Sequence, residues 1–451
     1  MSADTIVAVA TAPGRGAVGI VRLSGPAARG IAAKICGQLP APRVAALREF
    51  RGADDAPIDR GLVLVMPAPH SFTGEDVVEF QAHGGAVLLD LLQRACCAHG
   101  ARAAQPGEFS ERAFLNDKLD LAQAEAVADL IDAASAQAAR AAKASLDGAL
   151  SRRVTALADE LTQLRVFVEG ALDFSDTDVD WLADERLRGG LTRWLAALSA
   201  LKRECAQGRR LREGMSVALA GQPNVGKSTL MNALSRRDSA IVTAIAGTTR
   251  DLLRENAVIG GLPMTLVDTA GLRDLGESGD VVEKIGIARA WKAFEQAEVV
   301  LFLIDDARGF AAADQELVER LPCGPEVLVL HNKCDLSGRA PERFEEAGRT
   351  HLRIAASSGA GLELLERELL QRAGFGAAAE SAFSARARHS EALERALAHA
   401  LDAQRRVTEN AAPELAAEDL RLAQQALGAI TGAVSSEDLL GRIFAGFCIG
   451  K

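Results

Sequence analysis

A chain of 451 residues exceeds what one ordinary core supports, so two or three domains are expected. Hydrophobic residues at 48% and charged residues at 25% are the proportions of a soluble globular protein. The net charge of -10 argues against binding that relies on bulk positive charge along nucleic acid. It leaves room for a local basic patch or for recognition of RNA by shape and splayed bases.

The opening stretch carries Asp4 and no basic residue ahead of its short apolar run, which is not the pattern of a secretory signal. Residues 1–117 read as a mixed α/β domain. Its strands are expected over Ile6–Ala10, Val18–Leu23, Leu62–Met66 and Val77–Ala82, with helices over Pro26–Cys36 and Ala86–His99. Residues 118–213 change to Ala/Leu/Gln/Glu/Arg-rich sequence nearly free of Gly and Pro. Leu146–Phe174, for example, spaces its apolar residues by three and four, as amphipathic helices of a bundle do. Residues 214–376 alternate strand, loop and helix, with apolar strands at Val217–Ala220, Met264–Val267, Val299–Ile304, Val327–Leu330 and Leu352–Ile354, the texture of a buried parallel sheet. Residues 377–451 return to helix, as the second part of the helical domain. The expected fold class is therefore a multidomain combination of α/β and all-α parts, with a Ras-like P-loop domain inserted into a discontinuous helical bundle. No apolar run reaches the length of a membrane span, so a cytoplasmic protein without a membrane partner is expected.

Gly221-Gln-Pro-Asn-Val-Gly-Lys-Ser228 fits G-x-x-x-x-G-K-[ST] directly between a strand and a helix. Backbone N–H groups around Asn224, Val225, Gly226 and Thr229 are placed to cradle phosphates, Lys227 to neutralise the β/γ oxygens, and the Ser228 hydroxyl to ligate Mg²⁺. Asp268, Thr269, Ala270 and Gly271 follow the next core strand, setting a carboxylate at the metal's outer shell and a glycine N–H at the γ-phosphate. Asn332, Lys333 and Asp335 follow another. A carboxylate at Asp335 accepts both protons of the guanine edge, so the substrate is GTP rather than ATP. Thr243, Ala244, Ile245, Ala246, Gly247, Thr248 and Thr249 form a switch segment, with Thr249 the second Mg²⁺ hydroxyl.

Two positions depart from Ras-like enzymes. Leu272 stands where a water-orienting Gln is usual, and Glu283, opening the next helix, is the nearest suitable carboxylate; on residue type alone it is also an ordinary solvated acid. Asn224 within the loop offers an amide oxygen which, with carbonyls from Thr243 and Ile245, can hold a monovalent cation against the β/γ bridge in place of an arginine finger.

The seven cysteines are Cys36, Cys96, Cys97, Cys205, Cys323, Cys334 and Cys448. They form no C-x-x-C pair and suit reduced thiols. The seven histidines are scattered without ligand spacing, so no zinc site is expected. The segment Phe447–Lys451 is too short and glycine-bearing to look necessary for core packing.

Asp4-Thr-Ile-Val-Ala-Val-Ala-Thr, Gly14-Arg-Gly, Val18-Gly-Ile-Val-Arg22, Phe72-Thr-Gly-Glu-Asp, Pro106-Gly-Glu-Phe, Ala113-Phe-Leu-Asn-Asp-Lys118-Leu-Asp-Leu and Cys448-Ile-Gly-Lys451 together resemble the MnmE, or TrmE, family of tRNA-modification GTPases over essentially the whole chain. The resemblance implies an N-terminal domain that mediates homodimerisation and binds a tetrahydrofolate derivative, 5-formyl- or methylene-tetrahydrofolate, through Arg22, Glu79, Lys118 and Lys451. It implies K⁺ at Asn224, Thr243, Ile245 and Thr248, a catalytic carboxylate at Glu283, and activation by pairing of G domains. With the FAD-dependent partner MnmG, the family adds a carboxymethylaminomethyl or aminomethyl group at C5 of the wobble uridine of certain tRNAs. Cys448 then reads either as a thiol assisting attack on the pyrimidine or as a tail anchor. Ala17 stands where a further Gly is usual, and Ala355-Ala356-Ser357 replaces the common Ser-Ala of the guanine-side loop. A regulatory or ribosome-assembly GTPase that binds RNA without modifying it would explain the nucleotide motifs equally well. It would leave the N-terminal residues and the tail without a purpose.

Overall fold

The computed structural model describes residues 4–173, 184–237, 254–268, 291–322, 324–375, 383–409, 412–434 and 437–450. It divides into two compact units. One comprises Met1–Ala128, Ser145–Leu198 and Ala392–Lys451, the other Asp129–Ala144 and Ser199–Glu391.

The first unit contains a six-stranded sheet built from β1 (Ile6–Val9), β2 (Gly16–Ser24), β3 (Ala46–Arg51), β4 (Pro57–Met66), β5 (Val77–Gly84) and β6 (Arg102–Ala103), in the order β3-β4-β5-β2-β1-β6. All neighbours are antiparallel except β6, which runs parallel to β1. Successive side chains of a strand take opposite faces. Val21, Leu23, Val63, Val65, Val78 and Phe80 share one core with Ile31, Ile35, Leu89 and Leu92 of the helices Ala28–Cys36 and Ala86–Ala98. That alternation sends Arg22 and Glu79, paired across β2 and β5, to the other face. Three strands go beyond the sequence expectation, among them the two-residue β6. In β3 the alternation is carried by charged residues and only Phe50 is deeply buried, while β4 begins at Pro57 through polar residues.

The helical part of this unit follows the expected spacing. In Ala149–Asp173, Leu150, Val154, Leu157, Leu161 and Val168 are buried, and the helix packs on Pro413–Thr431, which buries Leu420, Ala423, Leu427 and Ile430. Trp194, fully enclosed, donates its indole N–H to the Leu157 carbonyl at 2.8 Å.

The second unit holds a seven-stranded sheet made of β7 (Met215–Gly221), β8 (Arg254–Ile259), β9 (Leu262–Asp268), β10 (Val299–Asp305), β11 (Glu326–Asn332), β12 (Arg343–Glu346) and β13 (Arg349–Arg353). The order is β12-β13-β11-β10-β7-β9-β8. The five strands expected from sequence are the parallel core, and antiparallel β8 and β12 are added at its edges. Leu219, Leu301, Leu303, Leu328, Leu330 and Leu352 fill one side of the sheet, and Ala220, Phe302, Ile304 and Val329 the other. Among the described residues no helix is long and apolar enough to cross a membrane.

Candidate functional site

The phosphate loop runs from the end of β7 into the helix Lys227–Arg237. Its conformation demands the residues present. Gly226 has φ +100°, and a Cβ there would overlap the Asn332 amide; Asn224 has φ +63°, a left-handed conformation that asparagine tolerates. Lys227 Nζ donates to the carbonyls of Gly221 at 2.9 Å and Gln222 at 3.0 Å, so the lysine is folded over the loop it serves. Ser228 and Thr229 are exposed in the first turn, where free N–H groups and the helix dipole favour an anion.

Asp268 ends β9, opposite Leu219 of β7, and is only 5% exposed. Its Oδ1 is buried without a hydrogen-bond partner. Burial pushes this carboxyl above the ordinary range and pushes the Lys227 ammonium below its own, each opposed by the charge of the other. A buried acceptor with nothing to accept from is costly in isolation. It fits a donor supplied by a metal-bound water.

At the end of β11, Asn332 works as a brace. Its Nδ2 donates to the Val225 carbonyl at 2.7 Å and its Oδ1 accepts from the Ala356 N–H at 2.9 Å, tying the phosphate loop to the Ala355–Ser357 loop. Lys333 has φ +67° and pairs with Asp305 at 2.9 Å; Asp335 accepts a hydrogen bond from the Ser357 hydroxyl at 3.1 Å. The structure therefore brings Val225, Asn332, Asp335, Ala356 and Ser357 into one connected rim. Thr243, Ala244, Ile245, Ala246, Gly247, Thr248, Thr249, Thr269, Ala270, Gly271, Glu283 and Lys451 lie outside the described residues. The sequence reading missed Arg308, which donates to Gln222 Oε1 at 2.9 Å while paired with the buried Asp314. No local pattern announces it.

In the first unit Arg22 Nε donates to Glu79 Oε1 at 2.8 Å, and the guanidinium lies 6.0 Å from the Phe72 ring centre and 5.7 Å from that of Phe109. Lys118 is exposed, and its stem flanks Gly74, in the same segment as Phe72. The motifs Phe72-Thr-Gly-Glu and Pro106-Gly-Glu-Phe also carry a partly buried network absent from the sequence reading. Arg112 contacts Asp4 at 2.8 Å, Glu75 at 3.2 Å and Glu108 at 3.0 Å; Arg102 contacts Asp4 at 2.8 Å and Glu108 at 2.6 Å. Ser24 joins through Glu75 Oε2 and Thr73 Oγ1, each at 2.7 Å. Burial alone would raise the Glu108 carboxyl, but hydrogen bonds from Arg102, the Gln105 N–H and Arg112 hold it below the usual range.

The tail corrects the expectation of an end unneeded for core packing. Phe447 is buried with Leu121, Ala124 and Phe444, the Gly107 N–H donates to the Cys448 carbonyl at 3.3 Å, and Ile449 forms a β-bridge with Pro106. Gly450 has φ +94°, and a Cβ on it would meet the Val9 carbonyl. The backbone is thus pinned beside β1 while the Cys448 residue stays exposed.

A family model described as "MnmE helical domain" matches residues 121–448, and one described as "GTP-binding protein TrmE N-terminus" matches residues 5–118. A protein named tRNA modification GTPase MnmE from Sodalis glossinidius (strain morsitans) is 52% identical over 454 residues, 99% of each chain. One of the same name from Yersinia pseudotuberculosis serotype O:1b is 52% identical over 453 residues, again 99% of each. Among solved structures, Aquifex aeolicus Era bound to GDP·AlF4⁻ overlaps with 26% identity over 41% of this chain and 66% of that one, at a TM-score of 0.29, too low to carry weight. Two family models laid end to end and near-complete alignment with these relatives place the chain in the MnmE family.

Proposed function

We propose that this protein is a GTP hydrolase acting in tRNA modification. The observation that carries the reading is 52% identity over 99% of the chain to relatives named for that activity, joined to a phosphate loop braced by Asn332 against the guanine-side loop. GTP lies with its phosphates on the Asn224–Thr229 backbone and its guanine at Asp335. Ser228 and Thr249 would ligate Mg²⁺ and Asp268 would hold it through water, a role the unpartnered Oδ1 suits. Held there, Mg²⁺ would supply charge neutralisation on the phosphates. Asn224 contributes to a K⁺ site with Thr243, Ile245 and Thr248, and Glu283 positions the attacking water.

The finer reading is modification at C5 of the wobble uridine by a homodimer working with MnmG. A tetrahydrofolate derivative sits at Arg22, Glu79, Lys118 and Lys451, and Cys448 is its neighbour in sequence. Support comes from the Arg22–Glu79 pair and the pinned tail, both in the unit that holds β1. Mass spectrometry of nucleosides from bulk tRNA of a deletion strain tests it. The expected outcome is loss of a C5-modified wobble uridine, restored by the wild-type chain; an unchanged nucleoside profile would refute tRNA modification while leaving GTP hydrolysis standing.

A further inference from the structure

His331 lies one residue before the end of β11, His351 in the middle of β13, and Glu346 ends β12. His351 stands opposite both Val329 and Phe344, and Glu346 stands opposite Arg349. Residues two apart on a strand share a face, so His331, Glu346 and His351 project from the same face of this sheet edge. His331 Nε2 is 2.9 Å from His351 Nδ1, and one donor atom from each of the three residues lies within 4.8 Å of the others. The two histidines are 5% and 1% exposed, packed against Phe344 and Phe310, whereas Glu346 is exposed. His331 Nδ1 is buried without a hydrogen-bond partner, 3.5 Å from the carboxylate of fully buried Asp306, which Arg353 and Ser337 hold in place.

We propose that His331, His351 and Glu346 form a binding site for a divalent transition-metal ion of zinc-like chemistry. Two imidazoles and one carboxylate are a donor set for such an ion, not for Mg²⁺ or Ca²⁺, which prefer oxygen alone. An ion about 2.0–2.1 Å from each nitrogen fits between atoms 2.9 Å apart after a small opening of the pair. Glu346 reaches it from the solvent side, and water completes the shell. When His331 binds through Nε2, its Nδ1–H points at Asp306, the carboxylate–histidine–metal arrangement that orients a ligating ring. Without an ion, His351 is satisfied by His331 and by the Glu346 backbone, whereas His331 Nδ1 is left without a bonded partner. The ion would clamp three strands where β11 passes into Asn332 and β13 passes toward Ala355–Ser357.

The experiment uses tag-free, full-length, nucleotide-free protein stripped with a chelator. It is titrated with Co²⁺ followed by visible absorption, and with Zn²⁺ by calorimetry. The expected result is one ion per chain, with visible Co²⁺ bands and no thiolate charge-transfer band. His351→Asn should abolish the site, and Glu346→Gln, a change at an exposed side chain that leaves the core intact, should weaken it roughly tenfold or more. Absence of binding, a thiolate band, or undiminished affinity in Glu346→Gln would each overturn the proposal.

Discussion

Asn332 spends both halves of its amide inside the protein, on Val225 and Ala356, and is 2% exposed. Replacing it with alanine strands a buried carbonyl and a buried N–H, each costing about 1–3 kcal/mol. Asn332→Ala should lower the melting temperature and weaken guanine-nucleotide binding by roughly tenfold or more, as read by fluorescent-nucleotide titration; unchanged affinity would show that the brace does not shape the pocket. Asn224, exposed and held at φ +63°, belongs instead to the rim proposed to hold phosphate. Potassium should stimulate hydrolysis and sodium should not, because a dehydrated site built on an amide oxygen is matched to the larger ion. Asn224→Ala should remove the difference between KCl and NaCl at equal ionic strength while leaving GTP binding intact. The phosphate loop was legible because its chemistry is written in consecutive residues. The direction of the Asn332 amide was not, since both partners come from distant loops.

At the scale of elements, the strands buried on both faces were the readable ones. Val299–Asp305 and Glu326–Asn332 are nearly continuous apolar runs, whereas Arg254–Ile259, Arg343–Glu346 and Ala46–Arg51 sit at or toward sheet edges and mix charge with apolar residues. Local composition cannot separate such an edge from a loop. The proximity of His331 and His351 was unreadable for the same reason, because β13 lies beside β11 only once the sheet forms. The network around Arg112 has a measurable consequence. Glu108 titrates lower in the folded chain than its ordinary 4.5, so the folded state binds fewer protons than the unfolded one around that pH. Its contribution to stability is present above the unfolded value and is lost as pH falls through the folded one. Urea midpoints measured from about pH 6 down to about pH 3 should therefore fall less steeply for Glu108→Gln than for the wild type. Parallel curves would mean that another carboxylate governs the acid limb.

For the molecule as a whole, the nucleotide loops belong to one compact unit and the Arg22 face and tail to the other. The two activities should accordingly be separable. Deleting residues 448–451 removes the Ile449 bridge to Pro106 and the Gly450 contact with Val9. GTP hydrolysis should persist at the parental rate, while wobble-uridine modification should disappear on complementation. Loss of hydrolysis as well would mean that the tail supports both units. The pinned tail also bears on how the chain is made. Ile449 leaves the ribosome long after Pro106, with all the strands of the second sheet emerging in between. The first sheet can twist and bury its core early, whereas the separate β-bridge of Ile449 to Pro106 forms only at the end of synthesis. A message cut short after Glu391 would yield the whole second unit, core helix included, without the last helices and the bridge that complete the first.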